Sequence, residues 1–276
     1  RGIELGIHTK NIVTEDFKWS TSLTVSAMDQ KITRLLNSPN AFDMVAGRGR
    51  GNIVDYPRGS LFSFNFQGLN NQGLPTFDFG RYPSNQSELS KIAGADFLDA
   101  QYAKSYLIYH GPIEPRVIGG LSNTLKYKNW ELSFFLTVQA GNKIRLNPTF
   151  DPEFADLNIF SKSYYNRWLN PGDEYKTDVP VLPSQELIAA VGKENIERAY
   201  NTYDYSQQRV ADGSFIRMKN ISLVYTVPES FLKKIRLHSM NLNLNLTNPF
   251  LIYSKDRTQS IISQVVCQCL HQNSTQ

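Results

Sequence analysis

The stretch His238-Ser239-Met240-Asn241-Leu242-Asn243-Leu244-Asn245-Leu246-Thr247-Asn248 alternates without a slip: even positions from Met240 to Leu246 are apolar, and odd positions from Asn241 to Thr247 are polar and uncharged. Successive side chains of a strand point to opposite faces, so this is a strand with an apolar face and an amide face. Just upstream, Asp212 to Val227 alternates as well, with Ile221, Leu223 and Tyr225 on one side and Asn220, Ser222 and Thr226 on the other. Two architectures use such strands. A soluble sandwich turns the apolar face inward against a second sheet, whereas a transmembrane barrel turns it to lipid and leaves the amides toward a wet interior.

Within the upstream strand the phase changes once. Before Lys219-Asn220 the apolar residues are even-numbered (Ile216, Met218), and after it they are odd-numbered (Ile221, Leu223, Tyr225). A one-residue slip flips every later side chain, so the pair predicts a β-bulge that restores the facing and turns Lys219 to the wet side.

The same code recurs outward from this pair. Expected strands cover residues 2–10, 16–28, 117–127, 130–141, 213–227 and 238–253. Phe17, Trp19, Leu23, Val25 and Ala27 alternate with Lys18, Ser20, Ser22, Thr24 and Ser26. Trp130, Leu132, Phe134, Leu136 and Val138 alternate with Glu131, Ser133, Thr137 and Gln139, and Phe135 is the exception. Asn123 is a second exception, falling on the face of Leu121 and Leu125. Connections alternate between short and very long. The two long ones, 29–116 and 141–212, far exceed the dozen or so residues usual in a compact domain and read as long loops, with one helix over Ser184–Tyr200. Outer-membrane barrels have this asymmetry of short turns at one end and long extracellular loops at the other. Phe17, Trp19, Tyr127, Trp130 and Tyr225 all lie beside the short turns, where an interfacial aromatic girdle runs. The fold expected is therefore all-β, an antiparallel transmembrane β-barrel segment. A soluble all-β ligand-binding module and a passive porin-like barrel are the alternatives.

Composition removes several classes. The chain has 276 residues and a net charge of +4, from 29 basic against 25 acidic residues. That balance is too mild to point to nucleic acid. Mean hydropathy is -0.37, and no run of about 18 apolar residues exists to form a helical span. Cys267 and Cys269 are the only cysteines, which excludes a disulfide framework and a four-cysteine metal site. The first residues open directly into a strand, so the chain is expected to be part of something longer.

No catalytic constellation emerges, and no cofactor or metal is expected. His8, His110, His238 and His271 lack ligand spacing. Gly47-Arg-Gly-Arg-Gly51 lacks the Lys-Ser/Thr of a phosphate loop and reads as a flexible loop. Asp151-Pro-Glu-Phe154 and Asp173-Glu174 read as solvated loop acids rather than as a cation site. The aromatics of the second long connection, Tyr164, Tyr165, Trp168, Tyr175, Tyr203 and Tyr205, are the candidate ligand-binding residues, because aromatic faces offer apolar area at low entropic cost for stacking on a sugar or peptide.

Three stretches resemble the SusC/RagA family of TonB-dependent outer-membrane transporters of Bacteroidetes: Gly111 through Trp130, Arg167-Trp-Leu-Asn-Pro-Gly-Asp173, and Asp212-Gly-Ser-Phe-Ile-Arg-Met-Lys-Asn-Ile-Ser-Leu-Val-Tyr-Thr-Val-Pro228. Phe17-Lys-Trp19 is similar too. The resemblance covers residues 1 to about 254 in the family's order. It implies the C-terminal part of a 22-stranded barrel in the bacterial outer membrane, with this chain at the sixteenth to twenty-first strands. It further implies a SusD-like surface lipoprotein as lid, the TonB complex acting through an N-terminal plug outside this stretch, and import of oligosaccharides or peptides. No enzyme activity is implied. Residues 255–276 depart from the pattern, because the family ends on an aromatic-terminated strand and this Gln-rich tail ends on Gln276. They read as an atypical tail, frameshifted or truncated. Six strands make only part of a 22-strand wall, so unpaired edges are expected at 2–10 and 238–253.

Overall fold

The computed structural model describes residues 1–36, 39–46, 51–80, 100–149, 162–235, 237–255 and 264–272. Gly47–Arg50 and Asp151–Phe154, two of the segments weighed above, lie outside them. The chain divides into two compact units, one of residues 1–29, 115–142 and 212–276 and the other of 30–114 and 143–211.

The first unit is one antiparallel sheet of seven strands in chain order. They are β1 (Gly2–Val13), β2 (Phe17–Met28), β3 (Val117–Tyr127), β4 (Trp130–Ala140), β5 (Phe215–Thr226), β6 (Ser239–Ser254) and β7 (Gln264–Gln272). The register lays like against like. Ile7 faces Leu23, Leu23 faces Leu121, Leu121 faces Leu136, and Leu136 faces Met218. Toward the short turns Leu125, Leu132, Leu223 and Leu244 form a second apolar row. The row next to the turns is Phe17, Tyr127, Trp130 and Tyr225, with the Trp130 and Tyr225 rings 4.4 Å apart. The opposite face aligns Ser22, Ser122, Phe135, Asn220 and Thr247, and beside them Ser133, Ser222 and Asn245.

This sheet has no apolar interior. Among its residues with described side chains, Leu232 in the turn helix Glu229–Leu232 is the only buried hydrophobic one, while Leu242 and Leu244 are 38% and 39% exposed. Among the described residues no second sheet belongs to this unit. A sandwich needs its apolar faces to meet. Here the apolar face is left uncovered, as in a barrel wall.

Three irregularities have local causes. Lys219 is skipped in the register against both neighbours, because Met218 pairs with Leu136 and Phe250 while Asn220 pairs with Phe135 and Thr247. This bulge returns Ile221 and Leu223 to the face of Ile216 and Met218. On β6, Asn248-Pro249 occupies the same level, with Asn248 at φ 50 and Pro249 unable to donate to the ladder. Asn123, the polar residue on the apolar face, is buried and satisfied. Its Oδ1 accepts from Trp19 Nε1 at 2.9 Å and from Thr21 Oγ1 at 2.7 Å.

The tail differs from expectation. Gln264–Gln272 forms β7 and pairs with β6 from Ser239↔Gln272 to Thr247↔Gln264, so β6 is not an edge. Among the described residues β1 pairs with β2 alone.

The two long connections, 29–116 and 141–212, together build most of a second unit with its own core. Its central strand, Ser60–Leu69, lies between Pro75–Asp78 and Leu107–Pro112. Phe62, Phe64, Phe66, Phe77, Phe79 and Tyr203 are buried together, mostly edge to face at ring separations such as 5.5 Å for Phe66–Tyr203. The halves are tied by backbone: Phe64 N donates to Tyr205 O, and the Gln207 amide closes both ways on the Phe66 backbone at 2.8 and 2.9 Å. The single helix expected over 184–200 is two, Gln185–Val191 and Lys193–Asp204, interrupted at Gly192.

Candidate ligand-binding loop

The second unit carries a loop, 162–181, that is built around Trp168. The indole is buried against Gly73, whose φ of +75 and missing side chain make room for it; a Cβ there would meet Trp168 Cδ2 at 2.6 Å. Trp168 N donates to Val179 O and Val181 N to Gly73 O, so the loop is stitched onto the Asn70–Gly73 turn.

Two of its acids, Asp173 and Glu174, are bonded within the loop itself. Glu174 Oε2 accepts from Trp168 Nε1 at 3.0 Å and Gly172 N at 2.7 Å, and the indole donor above all holds this carboxyl below its ordinary pKa. Asp173 accepts from Lys176 Nζ at 3.0 Å and from the backbone N–H groups of Asn170 and Leu169, and it is lowered for the same reason, the lysine foremost. Both carboxylates are structural acceptors rather than the solvated acids expected.

What the loop offers outward is an open depression of about 420 Å³ lined by Ser163, Asn166, Arg167, Lys176, Thr177 and Asp178 among others. Arg167 lies 4.5 Å over the Tyr164 ring. Tyr165 and Tyr175, each adjacent in sequence to a lining residue, are 83% and 89% exposed. The depression can hydrogen-bond a polar solute while two free rings flank it in sequence.

The six aromatics singled out from sequence therefore separate. Trp168 and Tyr203 are core side chains, the latter 2% exposed, and cannot stack on a ligand. Tyr164 and Tyr205 pack partly against that core, and Tyr205 also carries the Arg145 guanidinium at 5.2 Å from its ring centre. Only Tyr165 and Tyr175 stand open. The polar lining, Arg167 and Lys176 in particular, was missed; the signal in the sequence was the Arg167–Asp173 motif, which contains Arg167 and ends three residues before Lys176.

No family model matches the chain. Curated relatives are TonB-dependent receptors of Formosa agariphila. Receptor P3 is 26% identical over 264 residues, which is 90% of this chain and 24% of the relative. Receptor P39 is 24% identical, covering 91% and 26%. The structure of the RagAB peptide transporter superposes at a TM-score of 0.59 with 20% identity, over 91% of this chain and 25% of that one. The chain is similar over nine-tenths of its length to a segment of these TonB-dependent receptors. It spans about a quarter of the length of the relatives it matches. In this receptor-like segment the uncovered apolar face of the seven-stranded sheet fits a barrel-type fold. No helix among the described residues is long and apolar enough to cross a membrane.

Proposed function

We propose that this segment forms part of the wall and outer loops of a bacterial outer-membrane importer that takes up oligosaccharide or peptide nutrient, energised by the TonB complex and capped by a SusD-like surface lipoprotein. The observation that carries the reading is the seven-stranded antiparallel sheet with lipid-suited leucines uncovered on one face and amides and hydroxyls on the other, in a chain related over nine-tenths of its length to TonB-dependent receptors. The likeness to a peptide transporter favours peptides over sugars. Tyr165 and Tyr175, with Arg167 and Lys176, are the ligand contacts of the loop in this reading, and no catalytic step is assigned to any residue.

The test is uptake by cells that carry the receptor containing this segment, with peptides or oligosaccharides as the sole nutrient and TonB present or deleted. Uptake that needs TonB supports the importer. Uptake that is unchanged without TonB would make the barrel a passive porin, and failure of the protein to reach the outer membrane would return it to the soluble class.

A further inference from the structure

The polar face of the large sheet is not uniform. At the end away from the short turns it carries Ile118 on β3, Phe135 on β4, Phe215 and Arg217 on β5 and Leu251 on β6. The register places these on one face, with Gln139 opposite both Ile118 and Phe215, and Thr137 opposite both Gly120 and Arg217. Phe135, the residue that broke the alternation, has a cause: its ring lies over Gly120, where a Cβ would meet Phe135 Cε2 at 2.9 Å. The glycine lets an aromatic ring lie across the strand pair on a face otherwise made of hydroxyls and amides.

Arg217 stands in this apolar island. Its guanidinium lies 5.2 Å from the Phe215 ring centre, and its Nε is buried without a hydrogen-bond partner. Among the described residues no carboxylate pairs with it. The other acids on this face are remote. Glu131 lies six residues back along β4 from Thr137, roughly 20 Å at strand rise, and Glu4 sits on β1, four strands away at about 4.8 Å each. Asp212, nearer in sequence, is engaged by Lys255 Nζ and Ser214 N. A half-buried guanidinium held over a ring, with its donor fork unfilled, is built to receive a planar anion.

We infer that Arg217, on its shelf of Phe215, Phe135, Ile118 and Leu251, is a selectivity site for solutes that present a carboxylate beside an apolar group. The inference rests on the barrel-wall reading, in which this face meets the transported solute. A peptide C-terminus and an acidic sugar share that chemistry.

The experiment uses the complete receptor in outer membranes. Heat-dependent electrophoretic mobility of the wild type and of Arg217→Gln and Arg217→Lys comes first; a wild type that shows no folded barrel would sink the wall reading and this proposal with it. Binding is then compared for an apolar tripeptide and its C-terminal amide, and for a uronate-bearing disaccharide and its neutral counterpart. Arg217→Gln should weaken the acid of at least one pair about tenfold and leave its neutral partner unchanged, the size of one lost charge-assisted bond. Arg217→Lys should retain part of the preference, and the responding pair identifies the source of the carboxylate. Equal loss for acid and neutral ligands, or no loss in either pair with both variants folded, overturns the proposal.

Discussion

Single side chains of the outer loop and its unit divide into those that hold the fold and those left free. Tyr203→Ala should cost about 3–5 kcal/mol, as for other large buried aromatics, and shift the denaturation midpoint without a specific effect on ligand. Tyr165→Ala and Tyr175→Ala should leave that midpoint within about 0.5 kcal/mol and weaken uptake of substrate instead. A ligand effect from Tyr203 alone, or none from the two exposed tyrosines, would contradict the proposed contacts. Two half-buried groups near Arg145 oppose each other in pH. Burial pushes Asp204 up to about 6, against the pull of the Thr149 N–H, Arg209 and Arg145, so its stabilising contribution is full below its unfolded value and is lost as pH rises through 6. Burial, then Arg145 and Lys143, pushes His110 down to about 4, so acidification below its unfolded value of 6.5 destabilises the folded state. The two slopes offset. Removing His110 with Asn should make protection of the Phe64 amide from hydrogen exchange rise between pH 7 and 5, and Asp204→Asn should make it fall. Parallel slopes in the two variants would show that neither group titrates as its surroundings dictate.

The strands test how facing is set. Deleting Lys219 would join Met218 to Asn220 and leave Ile216, Met218, Ile221 and Leu223 in unbroken alternation, so the register against β4 heals. Deleting Ser222 instead would throw Leu223 and Tyr225 onto the polar face. Outer-membrane assembly, read from heat-dependent mobility, should survive the first deletion and fail in the second. Loss in both would mean that the bulge is needed for pairing with Asn248-Pro249 on β6. The helices Gln185–Val191 and Lys193–Asp204 teach a smaller lesson. Leu187, Ile188, Val191 and Ile196 recur at helical spacing, yet Gly192 at φ +92 interrupts the run, and a break of one residue does not disturb an apolar count.

On the scale of the molecule, the large sheet has an apolar face and no core, whereas the second unit has an aromatic core. A lysine introduced at Leu223 or Leu244 should cost about 2–4 kcal/mol in lipid and lower the yield of assembled protein, while Ser222→Lys on the opposite face should be tolerated. Equal tolerance at the three positions would mean that the leucines do not face lipid.

The sequence by itself determined the wall. A period-2 code repeated through Trp19, Leu132, Leu223 and Leu244 is local, because each residue's facing follows from its neighbours two positions away, and even the slip at Lys219 is written in the change from Met218 to Ile221. Tertiary structure alone decided the second unit. Its strands run three to ten residues and its core joins Phe62, Phe64 and Phe66 to Tyr203 across about 140 intervening positions, so no window of sequence contains both partners. It also decided which loop tyrosines are free, since Tyr203 and Tyr175 look alike until the chain around them closes. The same holds for β7, where the Gln-rich tail carries no clear alternation and takes its strand form from the ladder that β6 offers.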